Sequence, residues 1–216
     1  MKLFFRNVLL IVSGLALISI FGCQKAYYGM WETVGKEKRH LLKDQVEKVQ
    51  DEQAGASEDF KDALTRIQEI YGFDGGELEA QYKRLTKDYE DCVSRAAAVD
   101  ERIERVQTIA EDLFDEWESE IDEIGNPTFK KDSRRKLSDT KQRYQRMESS
   151  MTAAQSKMEP VLERLNDYVL YLKHNLNAQA IGALGKEVAG IEDEVADLIR
   201  DIDRSIAEAD AFIETL

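Results

Sequence analysis

Two cysteines, two histidines and many carboxylates are the groups with chemical reach in this chain, and Cys23 is the one whose setting specifies a reaction. Lys2 and Arg6 make a basic start, residues 7–22 (NVLLIVSGLALISIFG) are apolar, and Gly22 precedes the cysteine. That is the layout of a bacterial lipoprotein signal, in which the thiol takes a lipid and the cysteine becomes the mature N-terminus. The apolar stretch falls short of the ~20 residues a spanning helix needs, and Ile20-Phe21-Gly22-Cys23 fits acylation better than a small-x-small cleavage site. Gln24 follows rather than an aspartate, which in a two-membrane host favours the outer membrane, and the basic start puts residue 24 onward outside the cytoplasm. The expectation is a signal peptide over 1–22 and an envelope protein, lipid-anchored and facing the periplasm.

Other chemistry is harder to assemble. Glu37-x-x-His40 has the i, i+3 spacing of a di-iron half-site, but such bundles need a second pair and Tyr171 stands three residues before His174. Gly185-Lys186 lacks the upstream glycine and the Ser or Thr of a phosphate loop. No Gly-x-Ser-x-Gly, His-Glu-x-x-His or paired Cys-x-x-Cys occurs. The expected protein is therefore non-enzymatic, with no metal and no cofactor. After acylation of Cys23, Cys92 is the remaining thiol; it reads as a buried small hydrophobe, with a bridge between two copies as the alternative.

A formal charge of −13, more negative still once Lys2 and Arg6 leave with the signal, disfavours nucleic acid as a partner. One segment runs against it. Lys130, Lys131, Arg134, Arg135 and Lys136 gather five basic groups around the single acid Asp132. Such a run is ordinarily a solvated helix start; at a membrane-proximal end it becomes a patch for anionic headgroups.

The elements that would position these groups are long helices. Only two prolines occur, Pro127 and Pro160, in a chain rich in Glu, Lys, Arg, Ala, Leu and Gln. Apolar residues recur at alternating steps of four and three, the seam of a helix packed along its length. One seam runs from Leu42 through Val46, Val49, Gln53, Ala56, Phe60, Ala63 and Ile67 to Ile70, and a second from Leu78 through Leu85, Cys92, Val99 and Val106 to Trp117. A third runs from Leu137 through Tyr144, Met147, Met151 and Met158 to Tyr168, and a fourth from Ile181 through Ile191, Leu198 and Ile202 to Phe212. Breaks fall at Tyr71-Gly72-Phe73-Asp74-Gly75-Gly76, at Gly125-Asn126-Pro127-Thr128, and where the third seam slips by two residues near His174 to Asn177. There Asn177 can cap a new helix with Leu176 and Ile181 as its staple, a kinked continuous helix being the alternative. Pro160 should bend the third helix.

The expectation is an all-α protein, an elongated antiparallel bundle or coiled coil of three to four long helices, with residues 23–216 as one domain and helices at about 26–71, 77–124, 133–174 and 178–215. Up-down-up-down order returns the loop at 125–132 to the anchored end and brings Phe73, Asp74, Lys173, His174, Asn175 and Asn177 together at the far tip. These six read as helix caps or as a docking surface for an envelope partner. Heptads serve self-association equally well, and the Met147, Met151, Met158 stripe leaves a carrier of a lipid-like ligand as the second reading.

Three segments are less generic: Ala26-Tyr27-Tyr28-Gly29-Met30-Trp31-Glu32 through Gly35-x-Glu37-Lys38-Arg39, Leu113-Phe114-Asp115-Glu116-Trp117-Glu118-x-Glu120, and Leu172-Lys173-His174-Asn175-Leu176-Asn177-Ala178. With them, essentially the whole mature chain resembles a bacterial family catalogued as domain of unknown function 2959. The resemblance implies an exported, often lipid-anchored helical protein and brings no activity with it. A membrane-tethered scaffold, spacer or adaptor is the function expected.

Overall fold

A computed structural model describes residues 38–71, 78–175, 182, 184, 185 and 187–216. The chain divides into two units, Met1–Leu41, of which only the last four residues are described, and Leu42–Leu216. Four helices are described: α1 (Lys38–Tyr71), α2 (Leu78–Glu123), α3 (Pro127–His174) and α4 (Val188–Ile213). No strand occurs among the described residues. The protein is all-α.

Periodicity explains what each helix buries. All nine residues of the first seam, Leu42 to Ile70, are no more than 2 % exposed. The third is buried throughout, Leu137 to Tyr168, and the fourth from Val188 to Phe212. The second is buried at Leu85, Cys92, Val99, Ile103, Val106, Ala110 and Leu113, while Tyr82, Tyr89 and Trp117 are half-exposed at its margins. Each large side chain so buried contributes roughly 1.5–3 kcal/mol. The seams are thus filled within one chain.

Paired side chains give the helix directions within Leu42–Leu216. Moving along α1, Gln50, Gln53 and Gln68 meet Asp210, Ser205 and Glu192 of α4 in descending order. Arg66 meets Asp88 of α2, while Glu52 and Asp59 meet Arg95. α3 joins α2 through Lys141 and Glu118, and joins α4 through Arg164 and Glu194. Every sequential pair is antiparallel, and α1 closes the ring against α4. At ~1.5 Å per residue, α2 and α3 each run roughly 70 Å.

Two helix limits differ from the sequence reading. α3 begins at Pro127, within the segment read as a loop over 125–132. The Asn126 carboxamide caps it, accepting from the backbone N–H groups of Thr128 and Phe129 at 2.9 and 3.3 Å, and a proline at the first helical position has no N–H to leave unpaired. The basic run therefore occupies the first turns of a helix. The last helix does not run unbroken from about 178: Gly182 and Leu184 are helical, Gly185 and Glu187 form a turn with Glu187 N–H donating to Leu184 O at 2.9 Å, and α4 starts at Val188. Glycine at 182 and 185 lowers helix propensity there by about 1 kcal/mol each.

At the other end of α3, Asn175 adopts φ −136°, ψ 56°, and the helix stops there; residues 176–181, on which a turn or a kinked continuation depends, lie outside the described residues. α3 continues through Pro160, which stands on the exposed face. Water can there satisfy the Ser156 carbonyl that no proline N–H reaches.

Candidate functional site

The polar chemistry of the bundle lies along its helix junctions and at its two ends. Between α1 and α2, the Arg95 guanidinium donates to Asp59 through Nε at 2.9 Å and to Glu52 through Nη1 at 2.8 Å. Those two hydrogen bonds, Asp59 first, raise its pKa further. For Arg66, burial lowers the pKa, but the bonds to Asp88 and Glu69 outweigh it. On α4, Asp201 is 7 % exposed and receives Lys157 from α3 and Arg204 at 2.9 Å. The Lys157 hydrogen bond is the chief reason its carboxyl lies below the usual range.

In the middle of the core, Ser205 Oγ donates to Gln53 Oε1 at 2.8 Å, both residues being 0 % exposed. Gln53 Nε2 and, two turns earlier, Gln45 Oε1 are buried with no partner among the described residues. Gln50 reaches the Ile206 carbonyl at 3.1 Å and Asp210 at 2.8 Å, so the α1–α4 junction is rich in amides.

At the α2–α3 end, the basic run is partly matched by acids. Lys130 and Arg134 both hold Asp122, at 3.2 and 2.9 Å. Arg135 and Lys136 both hold Asp132, at 2.6 and 3.0 Å. Lys130, then Arg134, lowers the Asp122 pKa, and Lys136 is the main cause for Asp132. Lys131 is exposed. Above this turn, Trp117 Nε1 donates to Ser133 Oγ at 3.2 Å, and Phe114, Tyr144 and Phe212 tie α2, α3 and α4 by edge-to-face contacts at 5.4 and 5.9 Å. A groove of about 620 Å³ lies between α2 and α3 here, with Ile121 and Leu137 under Glu118, Asp122, Arg134 and Lys141.

At the opposite end of α3, Lys173 and His174 are exposed in the last helical turn, where the Lys173 ammonium complements the helix dipole. Asn175 caps it: its backbone N–H donates to Leu172 O at 3.1 Å, and Nδ2 donates to Tyr171 O at 3.0 Å. Asn177, Phe73 and Asp74, the other members of the expected tip, lie outside the described residues, as does Cys23.

Cys92 is fully buried, and its thiol is pushed up to about 12, first by burial and then by Asp59, Asp88 and Asp91. Met147, Met151 and Met158 are at most 1 % exposed and pack as core. Among the described residues no three His, Cys, Asp or Glu side chains group as metal ligands, and no helix is long and apolar enough to cross a membrane.

Sequence reasoning did not single out Gly55, Arg95, Ser205 or Phe129. Gly55 carried a usable signal, a glycine inside an unbroken helical pattern, which marks close approach by a neighbour. The carboxylates partnering Arg95 are indistinguishable in sequence from the many solvated acids beside them.

The family model described as protein of unknown function (DUF2959) matches residues 27–216, and the chain belongs to that family. No curated protein and no solved structure matches.

Proposed function

We propose that this member of the family is a non-enzymatic envelope lipoprotein, tethered to a membrane through acylated Cys23 and serving as a scaffold, spacer or adaptor, with the outer membrane as the anchoring bilayer and the bundle in the periplasm. The observation that carries this reading is the chain's direction. Residues enter the Leu42–Leu216 unit at the end where α2 turns into α3, since α1 and α2 are antiparallel. A lipid upstream of that entry would leave the exposed Tyr171, Lys173 and His174 at the end remote from the entry point. The arrangement suits a protein that holds a partner at a set distance from a surface.

The junction chemistry agrees with that role. Arg95, Arg66, Lys157 and Arg164 are all engaged with carboxylates of neighbouring helices, so these groups act in assembly of the bundle. Metabolic labelling with a palmitate analogue tests the anchor: the native chain should incorporate label and sediment with membranes, and Cys23→Ser should do neither. Label in the Cys23→Ser chain would end the anchor reading. For the adaptor role, a photo-crosslinker at Tyr171 or His174 in living cells should give a discrete adduct, and the absence of adducts at both positions would end it.

A further inference from the structure

Phe129 is the most exposed large hydrophobic residue described, at 67 %. It sits in the first turn of α3, just after Gly125, Asn126, Pro127 and Thr128, all exposed, beside the turn of the α2–α3 hairpin. In the same turns of α3, Lys131 is exposed, and the side chains of Arg135 and Lys136 are 71 % and 66 % accessible. Residues 127–136, the first turns of α3, carry five basic groups against Asp132 alone, in a chain of formal charge −13, while the acids Glu118, Glu120, Asp122 and Glu123 stand on the facing end of α2.

We propose that this hairpin apex is a membrane-contact foot, with Phe129 seated in the headgroup–acyl boundary of an anionic bilayer and Lys131, Arg135 and Lys136 on its phosphates. The proposal rests on the tether reading and deepens it. Three features converge on a bilayer rather than a protein partner. An exposed aromatic ring in the first turn of a helix whose next two turns carry lysine and arginine is the pairing that interfacial anchors use. The charge of the first turns of α3 is opposite to that of anionic headgroups. The chain also enters the Leu42–Leu216 unit at this same end, and a lipid on Cys23 would tether the unit to a membrane, raising its effective concentration at the surface, where even a weak contact is occupied. The Asp122 and Asp132 carboxylates, exposed and shared between pairs of cations, keep the run soluble and can release Arg135 and Lys136 to phosphate without leaving a charge buried.

The test uses the full lipidated chain reconstituted in phosphatidylglycerol–phosphatidylethanolamine vesicles. Phe129→Cys is labelled with an environment-sensitive fluorophore, and Leu170→Cys, 45 % exposed and roughly 60 Å away along α3, is the control. Cys92 stays unlabelled because it is buried, and unchanged far-ultraviolet circular dichroism confirms folding. The foot predicts blue-shifted emission and quenching by bilayer-borne bromine at 129, neither at 170, and loss of quenching in Lys131→Gln/Arg135→Gln/Lys136→Gln. Vesicle-bound protein whose probe at 129 emits as in buffer overturns the foot and leaves the tether standing. A chain that does not float with the vesicles at all overturns the tether, and the foot falls with it.

Discussion

The guanidinium of Arg95 lies across Gly55, so close that a Cβ at residue 55 would stand 2.9 Å from Arg95 Cζ. Arg164 lies over Gly190 in the same way, its Nη1 3.2 Å from the position of a Cβ. In both cases the arginine comes from the neighbouring helix, and its Nε pairs with the carboxylate four residues after the glycine, Asp59 or Glu194. One turn of helix separates glycine and acid, so the glycine opens a trough through which the arginine reaches its partner.

Gly55→Ala should therefore withhold the gain that alanine normally brings inside a helix. Helix propensity alone would stabilise by about 1 kcal/mol, but the added methyl displaces a guanidinium held by both Glu52 and Asp59. In urea unfolding, Gly55→Ala should be neutral or destabilised in the native background and should stabilise in Arg95→Ala. Equal effects in the two backgrounds would show that Arg95 does not need the glycine. Gly190→Ala should show the same coupling to Arg164 in weaker form, because its contact is longer.

Ser205→Ala should cost about 1–2 kcal/mol, because it strips the one hydrogen bond from a fully buried Gln53 whose Nε2 is already unpartnered among the described residues. Replacing both partners, Gln53→Leu with Ser205→Ala, should recover or exceed native stability, since an apolar layer needs no hydrogen bonds. Thermal melts of the three variants decide it. A double variant less stable than Ser205→Ala would mean that the layer contributes more than one bond.

Helix number, order and core faces were legible because every position of the alternation of three and four from Leu42 to Ile70 and from Leu137 to Tyr168 is buried, with only Gln45, Ser57 and Leu162 buried beside it in those spans. The third break was legible as a change of phase, and Asn175 now accounts for where α3 stops. The start of α3 was misplaced because a proline was read as a loop residue when Asn126 made it the first residue of a capped helix. Long-range partners were not legible at all. Asp59, Asp201 and Glu194 sit among many similar acids, and only the packing angle and axial register of two helices select which of them meets an arginine or lysine.

Cys92 should be inert in the folded protein. It is 0 % exposed and its thiol is pushed up to about 12, so at neutral pH almost none is thiolate, the reactive form. A disulfide-exchange reagent at pH 8 should modify it only as the chain unfolds, with the rate rising through the urea transition. Non-reducing electrophoresis of membranes should show no disulfide-linked dimer. Rapid modification in buffer would mean that α2 opens along its seam without global unfolding.

Acid should weaken the bundle partly through Asp201. Its carboxyl lies below the ordinary value, chiefly because of the Lys157 hydrogen bond, so the folded chain binds this proton less readily than the unfolded one. The corresponding stability is fully present above the unfolded carboxylate pKa of about 4 and is lost as pH falls through that value toward the lower folded one. Asp122 and Asp132 shift in the same direction but are open to solvent, where paired charges contribute little. Asp201→Asn should therefore cost about 1 kcal/mol at pH 7, a modest figure because Lys157 and Arg204 remain hydrated, and should lose less stability than the native chain between pH 5 and pH 3. Urea midpoints for both proteins across that range test it. Parallel curves would mean that some other carboxylate carries the acid response.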